Sequence, residues 1–225
     1  YGRIIISILG GIFMAIVDVN FHSTCLNRIV TYKAIIPTEH LTKGEPFKTL
    51  YLLHGFTDNH NQWLMGSRIA LLAEQARLAV IMPAGENSFY VDDKARGHLY
   101  GEFIGRELIE QTREMFHLST KREDTFIAGL SMGGYGAVRN GLKYHETFSH
   151  IAGLSSAFIL DHALNSTPNA ESILDRRSYF ESIFGNLDEL IGSDKDYKAL
   201  IQKLKNESVD IPQIYLACGT EDFLI

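Results

Sequence analysis

A serine set between glycines is the part of the sequence whose residue types most directly predict chemistry. An apolar run from Phe126 leads into Gly129-Leu-Ser131-Met-Gly133, and small residues continue to Gly136. Between a strand and a helix, Gly-x-Ser-x-Gly is the nucleophile elbow, a sharp turn that exposes the serine hydroxyl. The glycines leave room for the tight backbone, and the helix that follows points its first N–H groups at developing negative charge. We therefore predict that Ser131 is a nucleophile; a structural Gly-Ser turn is the alternative.

The sequence also offers partners for a nucleophilic serine. Acyl transfer needs a base, a carboxylate that orients the base, and N–H donors for the oxyanion. We predict that the N–H groups of Met132 and Phe56 are those donors, because one follows the serine and the other follows an earlier strand. Asp222 is the candidate acid, since it comes after the serine at the end of a later strand. Glu221 is a weaker candidate, and an Asx-turn is the structural alternative for Asp222.

The base is the component that the sequence does not supply in the expected order. All nine histidines precede Asp222, and three residues follow it. His54 borders the predicted site, but a histidine in a His-Gly turn after a buried strand more often shapes the loop. His60 and His98 fall in predicted loops, where a solvated side chain is the simpler interpretation. We expect the base beyond the end of this sequence, and severely reduced activity without it.

Strands and helices alternate along the chain and must position these residues. Apolar runs predict buried strands at 49–53, 78–82, 125–130, 151–155 and 213–218, and imperfect alternation predicts an antiparallel strand at 29–36, near the sheet edge. Helical patterns cover 63–77, 102–116 and 134–144, with further helices around 172–184 and 195–205. This order predicts an α/β fold whose mostly parallel sheet has helices on both faces. The polar clusters follow strand ends, where such sheets bind ligands.

Composition limits the class of protein and its partners. The chain has 225 residues, 45% of them hydrophobic and 21% charged, which is typical of one globular domain. A net charge of −6 and the lack of a basic cluster argue against a nucleic-acid partner. Cys25 and Cys218 lie in or near apolar runs and lack metal-site spacing, so we predict buried free thiols in a reducing compartment. No metal and no cofactor are expected.

The N-terminal residues are interpreted separately from the domain. The apolar stretch 4–17 is too short for an ordinary transmembrane helix, so no membrane association is predicted. It has the length of a signal-peptide core but no convincing cleavage site, and Met14 could start a cytoplasmic protein. The preferred interpretation is an extension at 1–13 before one cytoplasmic domain at 14–225; a signal peptide and secretion are the alternative. The irregular region 157–209 is predicted to form a small cap.

Five motifs together resemble a known family. They are the segments 52–63, 87–90, 100–103, 129–136 and 218–222. These segments resemble the esterase branch of the α/β-hydrolases, which includes bacterial tributyrin esterases and the esterase D/S-formylglutathione hydrolase group; the tributyrin esterase type is more similar. The resemblance implies an α/β-hydrolase fold, here truncated at its C-terminus before the histidine-bearing segment. It also implies a serine carboxylesterase for short-chain acyl esters, with Ser131 as nucleophile and Asp222 as triad acid.

Several alternatives stay open at the level of sequence. S-formylglutathione hydrolysis, or acetyl or feruloyl esterase activity, would use the same chemistry on another substrate. Trp63, Phe89 and Tyr90 are candidates for lining an acyl or aryl pocket, although aromatic residues near strand ends are about as often core. A non-catalytic binding module is the alternative of another class, favoured by the missing histidine and disfavoured by the intact elbow. The expected partner is a small-molecule ester, and homo-oligomerisation is left open.

Overall fold

The computed structural model describes residues 14–38 and 44–222, so the predicted extension at 1–13 lies outside the described residues. Its strands are β1 (Met14–Ser23), β2 (Arg28–Pro37), β3 (Thr49–Leu53), β4 (Ala79–Pro83), β5 (Asp92–Asp93), β6 (His98–Leu99), β7 (Thr125–Leu130), β8 (His150–Leu154) and β9 (Gln213–Ala217). Its α-helices are α1 (Gln62–Gly66), α2 (Ile69–Ala76), α3 (Tyr100–Glu102), α4 (Leu108–Met115), α5 (Met132–Lys143), α6 (Leu160–Leu164), α7 (Arg177–Phe184) and α8 (Tyr197–Asn206). A π-helical turn at Phe103–Glu107 joins α3 to α4.

Seven of these strands form one sheet in the order β1-β2-β4-β3-β7-β8-β9. Strands β4, β3, β7, β8 and β9 run parallel, whereas β1 and β2 are antiparallel to their neighbours. The predicted mostly parallel sheet is therefore confirmed. Because parallel strands end at the same edge, the turns after β3, β4, β7, β8 and β9 lie side by side along it.

Helices cover both faces of the sheet, as predicted. Successive side chains of a strand point to opposite faces, and β3 divides accordingly. Tyr51 and Leu53 pack in the larger core with residues of α4 and α5, whereas Leu52 packs with Trp63 and Ile69 from α1 and α2. Within the described residues, no helix is long and apolar enough to cross a membrane.

The region after β8 is attached to α5. Arg139 of α5 is fully buried; its Nε donates to the carbonyl of Asp194 at 2.8 Å, and its guanidinium pairs with the Asp194 carboxylate. Tyr135, one turn earlier, donates its hydroxyl to the carbonyl of Lys195 at 2.6 Å. These bonds fix the chain between α7 and α8 against the helix that begins at Ser131.

Two predictions about local structure were wrong. The helix predicted at 63–77 is two helices, because Ser67 is extended and its hydroxyl binds the carbonyl of Trp63 and the N–H of Ile69. Among the described residues, strand β9, predicted as buried, lies at the edge of the sheet, and its residues Tyr215 and Leu216 are 63% and 53% exposed.

The prediction for the thiols was also wrong in part. Both cysteines are free, but Cys218 is exposed and Cys25 is only partly buried. Cys218 directly follows the exposed strand β9, so it shares the exposure of that edge.

Candidate active site

Ser131 occupies the turn between β7 and α5, at the edge where the parallel strands end. Its backbone has φ 56° and ψ −118°, a conformation that residues with a side chain rarely adopt and that costs on the order of 1–3 kcal/mol. Neighbouring backbone holds the turn in place: the Ser131 N–H donates to the carbonyl of Leu154 at 2.9 Å, and its carbonyl accepts from the N–H of Ala157 at 3.0 Å. Backbone strain that is held in this way is concentrated at functional sites.

The glycines on either side of Ser131 are required by close backbone contacts. A Cβ on Gly129 would lie 2.2 Å from the carbonyl oxygen of Gly133, and a Cβ on Gly133 would lie 2.4 Å from that of Leu53. Neither contact can be relieved by moving a flexible side chain. The prediction that these glycines leave room for the turn is confirmed.

Two backbone N–H groups near Ser131 have no protein acceptor among the described residues. Met132 is the first residue of α5, so its N–H has no intrahelical partner. Phe56 lies in the turn after β3, and its N–H makes no hydrogen bond to the described chain either. The preceding residue, Gly55, lies so close that a Cβ there would be 3.7 Å from the Cβ of Ser131. The two N–H groups predicted as oxyanion donors thus have no competing acceptor within the described residues.

His54 supports this turn with both ring nitrogens. It is buried, Nδ1–H donates to the carbonyl of Gly55 at 2.8 Å, and Nε2 accepts from the N–H of Gly85 at 2.9 Å. An acceptor role for Nε2 requires the neutral ring, and burial lowers the pKa of His54. No ring nitrogen remains for Ser131, which agrees with the interpretation that this histidine shapes the loop.

Hydrogen bonds join the loop after β4 to the loop after β3. The Oδ1 atom of Asn87 accepts from the N–H of Thr57 at 2.8 Å. The hydroxyl of Tyr90 donates to the carbonyl of His54 at 3.0 Å. Thr57, Phe89 and Tyr90 all have positive φ values, so this pair of loops is strained as well as interlocked.

Asp222 lies on the same edge of the sheet, after β9. Its N–H donates to the carbonyl of Gly219 at 3.2 Å, which closes a turn. One strand, β8, separates β9 from β7, so their axes lie about 10 Å apart. Asp222 lines a small cavity of about 210 Å³ together with Ser155 and Phe158.

A cavity of about 550 Å³ opens over Ser131. Apart from Ser131 itself, most of its wall is apolar or aromatic, and most of it comes from the region predicted as a cap. The lining residues are Phe56, Phe89, Ser131, Ala157, Phe158, Ile159, His162, Leu174, Asp175, Tyr179 and Phe180. The wall is built from packed rings, with Tyr179 edge-on to Phe56 at 6.4 Å and to Phe180 at 5.4 Å.

Comparison with known proteins assigns the fold and the family. The family described as "Putative esterase" matches residues 23–224 of the chain. The chain belongs to this esterase family. An acetyl esterase from Caldicellulosiruptor saccharolyticus is 48% identical over 219 residues, covering 94% of this chain and 82% of the relative.

Two solved structures from Staphylococcus aureus support the same assignment. Fluorophosphonate-binding serine hydrolase F superposes with a TM-score of 0.82 and 32% identity, covering 94% of this chain and 81% of the other. S-formylglutathione hydrolase FrmB superposes with a TM-score of 0.80 and 32% identity, covering 94% and 82%. The fold is that of the α/β-hydrolases, and the protein is a carboxylic ester hydrolase.

Two residues of this esterase do not have the position predicted for them. Tyr90 is fully buried, and its ring lies where a Cβ on Gly85 or Gly136 would be. Trp63 donates Nε1–H to the carbonyl of Leu53 at 3.0 Å and packs on the other face of the sheet. Neither lines the cavity, so direct substrate contact by Trp63 or Tyr90 does not fit the structure; of the three predicted aromatic residues, Phe89 does line it.

Sequence reasoning missed a polar pair inside the esterase cavity. His162 and Asp175 lie on its wall, with Nε2 of the imidazole 3.1 Å from Oδ1 of the carboxylate. They are 13 residues apart in a region without a recognisable motif, so the sequence does not predict that they form a pair. Within the described residues, no group of three or more His, Cys, Asp or Glu side chains could hold a metal ion.

Proposed function

We propose that the protein is a serine carboxylesterase that hydrolyses short-chain acyl esters through an acyl-enzyme at Ser131. The strained turn at Ser131 is the observation that carries this proposal. A binding module would have no use for a hydroxyl held at φ 56° under a cavity, next to two N–H groups without acceptors.

In the proposed mechanism, the Oγ atom of Ser131 attacks the ester carbonyl carbon while a histidine takes its proton. The oxyanion that forms is bound by the N–H groups of Phe56 and Met132, each worth on the order of 3 kcal/mol of transition-state stabilisation. The protonated histidine then gives its proton to the departing alcohol. Water attacks the acyl-enzyme by the same route and releases the acid.

Asp222 is proposed to orient the base. In the α/β-hydrolase chain order, the acid follows the nucleophile and the histidine follows the acid. Asp222 follows β9, which is two strands from β7 in the sheet and comes later in the chain. This position supports Asp222 as the acid that follows the nucleophile. His54 is not proposed as the base because both of its ring nitrogens are already bound within the loops.

The preference for short esters is proposed from the dimensions of the cavity. About 550 Å³ has to hold both the acyl and the alcohol part of the substrate. Its aromatic walls favour uncharged groups, and the region 157–209 acts as the cap that sets the choice among them. None of the lining residues is Lys or Arg, so we expect S-formylglutathione, which carries carboxylates, to be hydrolysed more slowly than an uncharged ester.

Hydrolysis of p-nitrophenyl acetate, butyrate and decanoate by the full-length natural protein tests this proposal. We expect a burst of p-nitrophenol, faster turnover of the two short esters, and no turnover by Ser131→Ala. Ser178→Ala, an exposed serine of α7, is the matched control and should keep its rate within about twofold. A folded full-length protein that hydrolyses none of the three esters would contradict the proposal and favour a binding module.

A further inference from the structure

The cavity above Ser131 contains one polar pair that the proposed mechanism does not use. His162 is carried by α6, and Asp175 ends the short 3₁₀ turn Ile173–Asp175. Their side chains are joined between Nε2 and Oδ1 at 3.1 Å, and both line the same cavity as Ser131. The other residues of the cap region that line this cavity are apolar or aromatic, and among them only Tyr179 carries a polar side-chain group.

The imidazole of His162 is held in one orientation. The carboxylate of Asp175 fixes one ring nitrogen, and the ring meets Phe180 edge-on, at 5.4 Å between centroids. Nδ1 makes no hydrogen bond to any residue in the described part of the chain. Because His162 lines the cavity, Nδ1 is accessible to a ligand that enters it.

The pair is not needed to hold the fold together. The side chains of His162 and Asp175 are 57% and 53% exposed, and pairs as exposed as this contribute little to stability. Removing one partner therefore leaves the protein folded, and a change in activity can be attributed to the lost contact with the substrate.

The chemistry of the pair specifies its ligand. With the Nε2 proton donated to Asp175, Nδ1 is an acceptor, and the second carboxylate oxygen is another. Either acceptor can receive the proton of a hydroxyl group. A cation is the alternative ligand for the carboxylate, and the 4-aminobutyl ester below tests it.

We propose that His162 and Asp175 form a specificity subsite that binds a hydroxyl group on the part of the ester remote from the reacting carbonyl. This inference rests on the proposed esterase function. A cavity of about 550 Å³ is about 10 Å across if it is taken as a sphere. An ester bound at Ser131 and extended across that distance brings a terminal hydroxyl to the pair.

Esters of equal size, with and without a terminal hydroxyl, test the subsite. The alcohol arm compares 4-hydroxybutyl acetate with pentyl acetate, and the acyl arm compares methyl 6-hydroxyhexanoate with methyl heptanoate. In one of the two arms, which identifies the side of the ester that reaches the pair, the wild-type protein should prefer the hydroxylated ester. His162→Phe keeps a ring on Phe180 but should lower that preference, measured as a ratio of kcat/KM, about tenfold. The loss should be in KM for the hydroxylated ester.

Two further variants separate the polar contact from the shape of the cavity. Asp175→Asn should lower the same ratio, because an amide orients the imidazole less well. Leu174→Ala, in the same wall, should change the rates on both esters alike and leave the ratio unchanged. Reaction of every variant with a fluorophosphonate at Ser131 reports that the site remains folded.

Five results would overturn the inference, each recognisably different. The wild-type protein shows no preference in either arm, or His162→Phe leaves an existing preference unchanged. His162→Phe abolishes hydrolysis of both esters and the fluorophosphonate reaction, which would make His162 the base. Preference for 4-aminobutyl acetate over the hydroxylated ester would mean that the carboxylate selects cations. Failure of the wild-type protein to hydrolyse any of the esters defeats the proposed function itself, and the inference with it.

Discussion

The N–H of Gly85 donates a 2.9 Å hydrogen bond to Nε2 of His54. This bond joins the loop after β4 to the loop after β3, which carries the N–H of Phe56. His54 is buried and its other nitrogen is bound to Gly55, so the ring acts as a fixed brace between the two loops. The proposed oxyanion donor is therefore positioned by a neutral histidine that is two residues away in sequence.

Replacing His54 should weaken the site and reduce the loss of stability in acid. His54→Phe keeps the ring volume but leaves the buried N–H of Gly85 without its acceptor, at a cost of about 1–3 kcal/mol in unfolding free energy. Turnover of p-nitrophenyl acetate should fall as well, because the loop that carries Phe56 is no longer fixed.

The pH dependence follows from the lowered pKa of His54 in the folded protein. The unfolded chain binds this proton near pH 6.5, whereas the folded protein resists it. The contribution to stability is present above about pH 6.5 and is lost as the pH falls towards the folded value. Urea unfolding at pH 7.5 and 5.5 should show a smaller loss for His54→Phe than for the wild type; equal losses would contradict this account.

Gly133→Ala should destabilise the protein severely. The new Cβ would lie 2.4 Å from the carbonyl oxygen of Leu53, so β3 and α5 would have to separate. We expect a loss of at least about 3 kcal/mol in urea unfolding, or failure to fold. Gly219→Ala is the matched control, because a Cβ there meets nothing within 4 Å; its stability should stay within about 0.5 kcal/mol of the wild type. Similar behaviour of the two variants would show that the elbow is not tightly packed.

The strain at Ser131 can be measured by comparing two substitutions at the same position. Glycine adopts φ 56° without penalty and alanine does not, so Ser131→Gly should be about 1 kcal/mol more stable than Ser131→Ala. Lys203 is a solvent-exposed residue in the middle of α8. There the glycine variant should be about 1 kcal/mol less stable than the alanine variant, since glycine weakens a helix. Thermal unfolding of the four variants decides the question. An alanine variant at 131 that is as stable as the glycine variant would argue against a strained turn.

Substitutions at two adjacent carboxylates, Asp222 and Glu221, distinguish a catalytic role from a general effect of negative charge in the turn after β9. Asp222→Asn should lower kcat on p-nitrophenyl butyrate by about 10⁴-fold, the effect expected when an orienting acid holds the wrong tautomer of its histidine. Glu221→Gln removes the same charge one residue earlier and should leave kcat within about threefold. Equal effects of the two substitutions would exclude Asp222 as the triad acid.

The best-predicted elements are those whose ends are marked by local chemistry. Strands β3 and β7 have the predicted bounds, because each is an apolar run that ends at a turn with its own signature, His-Gly in one and Gly-x-Ser in the other. The conformation of Ser131 could be predicted for the same reason: the two glycines that permit it lie within two residues.

The errors concern contacts made across the fold. Tyr90 and Phe89 are adjacent aromatic residues in a strained loop, yet Phe89 lines the cavity and Tyr90 is buried against the glycines 85 and 136. Strand β9 is as apolar in sequence as β7, and only the order of strands shows that it lies at the edge. The pairing of His162 with Asp175 depends on the packing of α6 against the turn that precedes α7, which no local pattern encodes.

Mass spectrometry of the protein after reaction with a fluorophosphonate decides whether Ser131 is the nucleophile. We expect one covalent adduct on the full-length protein, located at Ser131 by peptide mapping and absent from Ser131→Ala. A folded full-length protein that forms no adduct, or an adduct that persists in Ser131→Ala, would contradict it.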